Sequence, residues 1–213
     1  MKLEIFDLGL VDFKSAWDFQ KNIFLRVKQG KIPSALILCR HLPVITLGRK
    51  ANQENILAAH QELEALNIQT YEIERGGDVT YHGPGQLCAY PILNLSYFKK
   101  DINWLLRSLE AMLVGVLSEF GVKAQSLPGL TGVWIAQKKI ASIAIAIKSW
   151  ISFHGISLNI KSNDLRNFYL IRPCGLDIIM TSMESELKQE IKIDKVKASF
   201  LQNFNKTLKQ EQR

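Results

Sequence analysis

Three apolar, β-branched runs stand almost end to end in the second half of the chain: TGVWIAQ (131–137), KIASIAIAI (139–147) and WISFHGISLNI (150–160). The gaps between them are too short for a crossover helix. Strands joined so closely pair with their neighbours in the antiparallel sense, which predicts a meander. A sheet of this kind needs cover, and the segment just upstream offers it. Ile102, Leu105, Leu106, Leu109, Met112, Leu113, Val116, Leu117 and Phe120 recur at helical spacing, after an N-cap at Asp101 and before a stop at Gly121.

The rest of the chain supplies more of both elements. Residues 3–10, 35–40, 44–47, 69–74 and 86–93 read as strands, and 12–29 and 53–66 as helices. Residues 161–180 show no regular pattern. A terminal helix is predicted from Asp194, with Val196, Phe200, Phe204 and Leu208 inward. The 213 residues are expected to form one α/β domain of the α+β type, 1–213, with 181–213 as a small helical C-terminal extension.

Composition narrows the classes of function. Apolar residues make up 47% and charged residues 22%, and no apolar run is long enough to span a membrane. The start, MKLEIFDLGL, is too acidic for a secretion signal, so a cytoplasmic protein is expected. Three cysteines, Cys39, Cys88 and Cys174, give neither a disulfide framework nor a metal motif. The four histidines form no HxxxH pair, so no metal is expected. The formal charge of +7 suits an acidic protein partner or a mildly basic surface. Scattered basic residues and the lack of a reading motif argue against nucleic acid.

Two segments stand out chemically. Arg75-Gly76-Gly77-Asp78-Val79-Thr80-Tyr81-His82-Gly83-Pro84-Gly85-Gln86 carries four glycines between two strand-like runs. Such glycines permit positive φ and let backbone approach a ligand, whose negative charge exposed N–H groups could hold. It is neither a Walker loop nor a dinucleotide fingerprint. A plain glycine-rich connection with one buried histidine explains it equally well. The second segment is Arg172-Pro173-Cys174-Gly175, where a tight turn would present a thiol. Cys39 and Cys88 lie inside strand-like runs and read as buried, inert thiols. Cys174 is either a nucleophile or a structural loop cysteine.

A nucleophilic thiol needs a cation or base beside it. Lowering a pKa of about 8.5 by roughly 1.5 units takes only about 2 kcal/mol. His82, His154 and Lys139 are the possible helpers. Lys139 opens an otherwise apolar strand, and Lys138 would point to its opposite face. The residues themselves thus leave a Cys/Lys or a Cys/His acyl-transfer site open.

In order and spacing, RGGDVTYHGPGQLCAYPILNL (75–95), TGVWIAQKKIASIA (131–144), SFHGISLNI (152–160) and RPCGL (172–176) resemble the lipoyl(octanoyl) transferase family. The resemblance implies the biotin/lipoate ligase-like fold, a mixed, mostly antiparallel sheet flanked by helices. It implies transfer of an octanoyl group from octanoyl-acyl carrier protein, through a thioester on Cys174, to one lysine of a lipoyl domain in 2-oxoacid dehydrogenases or of the glycine-cleavage H protein. Lys139 is then the partner of Cys174. Substrate contacts fall on Arg75, Gly76, Gly77, Asp78, Val79, Thr80, Tyr81 and His82, on Ser142, Ile143 and Ala144, and on Gly155, Ile156 and Ser157. No cofactor is implied, and a monomer is expected. Where the family usually has glycine this chain has Ala144, which bears on acyl-chain length. Two rival readings remain: an ATP-dependent lipoate–protein ligase of the same fold, and a non-catalytic module that binds lipoyl domains or acyl carriers.

Overall fold

The computed structural model describes residues 3–175 and 178–211. In chain order the elements are β1 (Glu4–Val11), α1 (Phe13–Lys28), β2 (Ser34–His41), β3 (Val44–Leu47), α2 (His60–Ala65), β4 (Gln69–Glu72), β5 (Val79–His82), β6 (Gln86–Leu93), α3 (Ile102–Glu119), β7 (Gln125–Leu127), β8 (Leu130–Ile135), β9 (Lys138–Lys148), β10 (Ile151–Asn159), β11 (Ile179–Met180), α4 (Met183–Leu187) and α5 (Ile193–Glu211). The main sheet has the strand order β1-β2-β6-β10-β9-β8-β7, with β11 paired to β9. The expected meander is β8-β9-β10, antiparallel throughout. Within the main sheet, β1 on β2 and β11 on β9 are the parallel pairs among the described residues. A second sheet, β4-β3-β5, stands beside the first.

Alternation along the central strands sends side chains to two different cores. Leu36, Leu38, Leu87 and Leu158 meet the stripe of α3 and the inward face of α5, where Val196, Phe200, Phe204 and Leu208 are buried. Ala35, Ile37, Cys39, Cys88 and Ile92 face the other way, onto Ile23 and Val27 of α1. Each fully buried leucine or isoleucine here is worth about 1.5–3 kcal/mol of transfer free energy, so the two helical layers clamp the sheet from both sides. The helix ends follow the predicted chemistry: Asp101 accepts from Trp104 N at 3.0 Å, and Gly121 takes φ +78° after the last turn.

The sheet and helix types match expectation, but several boundaries do not. The predicted helix over 53–66 is broken. Asn52 caps a single 3-10 turn, Gln53–Asn55, and Ile56 then extends to bridge Ile171. Leu57 N and Ala58 N both donate to Leu170 O, so tertiary hydrogen bonds replace helical ones before α2 starts. The glycine segment is not all loop, because Val79–His82 forms β5 against β3. Residues 161–180 contain 3-10 turns at Asn163–Leu170 and Pro173–Gly175 and the short β11. Strand β7 and helix α4 carry too few patterned residues to announce themselves. No helix among the described residues is long and apolar enough to cross a membrane.

Candidate active site

Between the two sheets lies a cavity of about 430 Å³, within the usual range for a small-molecule site. Its walls come from the 75–80 segment and His82, from β9 and β10, and from Phe13, Ile102, Leu106, Trp134 and Pro173. The residues singled out by resemblance converge on it. Arg75, Gly76, Gly77, Asp78, Val79, Thr80, His82, Lys139, Ser142, Ile143, Ala144, Gly155, Ile156 and Ser157 all line it. Tyr81 does not. It is fully buried among Ile45, Phe168 and Leu170, and its hydroxyl accepts from Asn167 at 2.7 Å. Strand alternation explains this, since Tyr81 points away from the side that carries Thr80 and His82.

The 75–78 segment is held as a rigid cradle. Gly76 N donates to Ile145 O at 2.9 Å, Arg49 N to Arg75 O at 3.0 Å and Gly48 N to Asp78 O at 3.2 Å. Gly77 has φ +81°. A Cβ on Gly48 would stand 2.4 Å from Gly77 O, so glycine there lets the two segments close up. The Arg75 side chain is buried and turned back on the protein. Its Nη2 donates to Thr46 O at 2.6 Å, and its Nη1 to Gly76 O at 3.1 Å.

Gly83 and Gly85 have another purpose. A Cβ on Gly83 would lie 2.5 Å from the Tyr81 hydroxyl and 2.6 Å from Asp164 Oδ2. One on Gly85 would lie 2.6 Å from Lys161 Cβ. Gly85 N donates to the Asp164 carboxylate. Of the four glycines, Gly76 and Gly77 line the cavity, whereas Gly83 and Gly85 make room for Asp164.

His82 Nδ1 donates to Gln86 Oε1 at 3.1 Å, because the Gln86 amide nitrogen is already donating to Tyr81 O and Asn159 Oδ1. Burial, and then the nearby His41 and Arg75, push its pKa down to about 3, so the ring is neutral. His154 also lines the cavity, at the left-handed φ of +57°. Its Nε2 lies 3.3 Å from Glu74 Oε2. Burial lowers the His154 pKa, and the hydrogen bond from His154 holds Glu74 down to about 2. A neutral imidazole donating to a carboxylate satisfies both shifts.

These histidines give the fold a pH dependence of defined sign. His82, and His41 at about 4, have folded-state pKa values below the unfolded value of about 6.5. Their contribution is complete above that value and is lost as pH falls toward the folded values. Each contributes up to ~1.4 kcal/mol per pH unit across that window. The urea midpoint is therefore expected to fall between pH 7 and pH 5, and less steeply in a His82→Gln variant. An equal slope in both proteins would remove His82 from this account.

Lys139 is 5% exposed, and its Nζ lies 5.1 Å from the centroid of the Trp134 ring. Its direction depends on a β-bulge. Val133 pairs with Ala141, but Trp134 pairs with Lys139, which leaves Ile140 as an extra residue on β9. Strict alternation from Ser142 and Ala144 would place Lys138, not Lys139, on the cavity side. The inserted residue reverses the phase. Lys138 instead reaches Glu186 at 2.7 Å.

Cys174 lies in the 3-10 turn Pro173–Gly175, and its side chain is outside the described residues, as is Leu176. The turn itself is anchored. Arg172 N donates to Asn55 O at 2.7 Å, and Asn55 Nδ2 donates to Asp78 Oδ2. Asp78 Oδ1 in turn accepts from Val79 N at 2.8 Å. Asn55 thus ties the glycine cradle to the cysteine turn. Nothing in NQEN marked it, because both its partners are distant in sequence. His41, Thr46, Glu74 and Asp164 were likewise not assigned a role from the sequence. Cys39 and Cys88 are buried cross-strand partners, and burial raises both thiols, Cys88 to about 12. Both are buried, as expected.

The chain matches the lipoyl protein ligase A/B catalytic domain model over residues 12–205. It is 42% identical over 197 residues to an octanoyltransferase of Solibacter usitatus, covering 92% of this chain and 89% of that protein. Among solved structures it resembles lipoate-protein ligase A bound with ATP, with a TM-score of 0.79 at 16% identity, covering 98% and 86% of the two chains. It resembles the Aquifex aeolicus biotin protein ligase with biotin and ATP less closely, with a TM-score of 0.56 at 14% identity over 98% and 70%. At these identities the two structures establish the fold.

Proposed function

This chain belongs to the lipoyl protein ligase A/B catalytic domain family, and from that premise we propose that it is an acyltransferase of lipoate biosynthesis that moves an octanoyl group from acyl carrier protein to a lysine of a lipoyl domain. Lys139 and the Pro173–Gly175 turn meet on one cavity, and that convergence carries the reading. The Cys174 thiolate attacks the thioester carbonyl of the donor. The tetrahedral intermediate expels the carrier thiolate, which takes up a proton, and leaves an octanoyl thioester on Cys174. The acceptor amine attacks this thioester, Cys174 leaves as thiolate, and the amine gives up a proton as the amide forms.

Lys139 as ammonium favours the thiolate over the thiol and supplies the proton to the departing carrier. As amine it takes the proton back from the acceptor lysine. The apolar walls, including Ile102, Leu106 and Ile156, hold the acyl chain, and the cradle 75–78 with Ser142–Ala144 and Gly155–Ser157 shapes its channel. A thioester donor is already activated, so no nucleotide enters the reaction. The acceptors are lipoyl domains of 2-oxoacid dehydrogenases and the glycine-cleavage H protein. Donors and acceptors that are acidic would meet a chain of charge +7 favourably.

Intact-mass analysis after mixing the protein with octanoyl-acyl carrier protein, without ATP, tests this. A gain of one octanoyl group that hydroxylamine removes, and that moves to an added lipoyl domain, is the expected result. Modification of the lipoyl domain only when ATP and free octanoate are supplied would replace it with the ligase reading.

A further inference from the structure

Lys139 is long, flexible and almost fully buried, so something must dictate its path to the cavity. Gly132, on the neighbouring strand β8, has φ +125°. A Cβ built there would lie 2.6 Å from Lys139 Cε, 3.3 Å from its Nζ and 2.6 Å from Ala141 O. The missing side chain is therefore the slot through which the lysine passes. Gly132 N in turn donates to Glu110 Oε1 at 2.9 Å. Glu110 is 1% exposed on α3, on the helix face that otherwise packs leucine and valine, and its other oxygen is paired with Arg107. A buried carboxylate is costly unless its charge is compensated, and a plain structural helix would carry a leucine here.

We infer that Glu110 is a positioning residue for the transfer reaction: through Gly132 it holds open the slot that delivers Lys139 to the Cys174 turn. This rests on the Lys139–Cys174 pairing proposed above. Arg107 neutralises Glu110 from the half-exposed side, which leaves Oε1 for the Gly132 amide. The bulge at Ile140 turns the lysine to the cavity face, and the Glu110–Gly132 contact fixes the strand beneath it. The Trp134 ring closes the other side of the ammonium.

The readout is the pH profile of Cys174 alkylation by iodoacetamide, followed by peptide mass mapping. The thiols of Cys39 and Cys88 are buried and serve as internal controls. Lys139→Ala is expected to move the midpoint up by about one unit or more, with about tenfold slower alkylation at pH 7. Gly132→Ala and Glu110→Asp are expected to move it in the same direction. Glu110→Gln keeps an acceptor oxygen at the same reach and is expected to stay near the native midpoint. If Lys139→Ala shifts the midpoint while Gly132→Ala and Glu110→Asp lower the melting temperature without moving it, Glu110 is merely structural and the inference fails. If Lys139→Ala itself leaves the midpoint in place, the pairing of Lys139 with Cys174 is wrong and the inference falls with it.

Discussion

Replacing Lys139 by alanine is expected to slow acylation of Cys174 by octanoyl-acyl carrier protein about 10²–10⁴-fold, the range of a positioned acid–base group. The protein should still fold, because the truncated side chain leaves a slot that opens into the cavity. Cys174→Ser is expected to show no rapid adduct at all, since a serine hydroxyl lies far from ionisation at neutral pH. Rapid-quench intact mass on both variants separates the two roles. In Lys139→Ala the adduct forms slowly, and its rate recovers as pH rises toward the unassisted thiol pKa. A Lys139→Ala enzyme as fast as the native one would place the base elsewhere on the cavity wall.

Gly155→Ala is expected to destabilise the fold by about 3 kcal/mol, because overpacking between two central strands has no flexible group to absorb it. A Cβ at Gly155 would stand 2.2 Å from Ala89 O and 2.6 Å from Pro91 Cδ. Both belong to β6, which is itself pinned between β2 and β10. The strands must therefore separate at the middle of the sheet, and a melting-temperature loss of roughly 6–12 °C follows for a chain of this size. Urea unfolding of Gly155→Ala beside Ala144→Gly provides the comparison. Ala144 is the cross-strand neighbour of Gly155 on β9, and its loss should cost only about 0.5–1 kcal/mol. Equal stabilities for native and Gly155→Ala proteins would mean that this glycine is kept for ligand approach alone.

Much of this molecule can be read from local pattern. The α3 stripe, the closely spaced meander and the inward residues of α5 each repeat at the period of their element. Burial follows that period because the side-chain directions are set by backbone geometry. The motif blocks also converge as expected, since the cradle, the lysine strand and the cysteine turn border one cavity. Local pattern misled where a segment takes its hydrogen bonds from far away. Residues 53–66 have helical composition, yet Leu170 O captures two of their amides. The strand within RGGDVTYHGPGQ was hidden by the glycines around it. Those glycines answer to different needs: Gly77 to a positive φ beside the cavity, Gly83 to the close approach of Tyr81 and Asp164, and Gly85 to that of Lys161 and Asp164.

The amino-acid sequence by itself determined the apolar stripe of α3, the closely spaced strands of the β8-β9-β10 meander and the inward residues of α5. All three are properties of spacing and residue chemistry. Only the tertiary structure decided how those residues face one another. Ile140 is one inserted residue in β9, and period-two alternation makes one residue enough to turn Lys139 rather than Lys138 into the cavity. Asn55 joins Asp78 to Arg172, and Glu110 reaches Gly132 from another element. Contacts of this kind follow no local period, because they exist only once distant segments have packed.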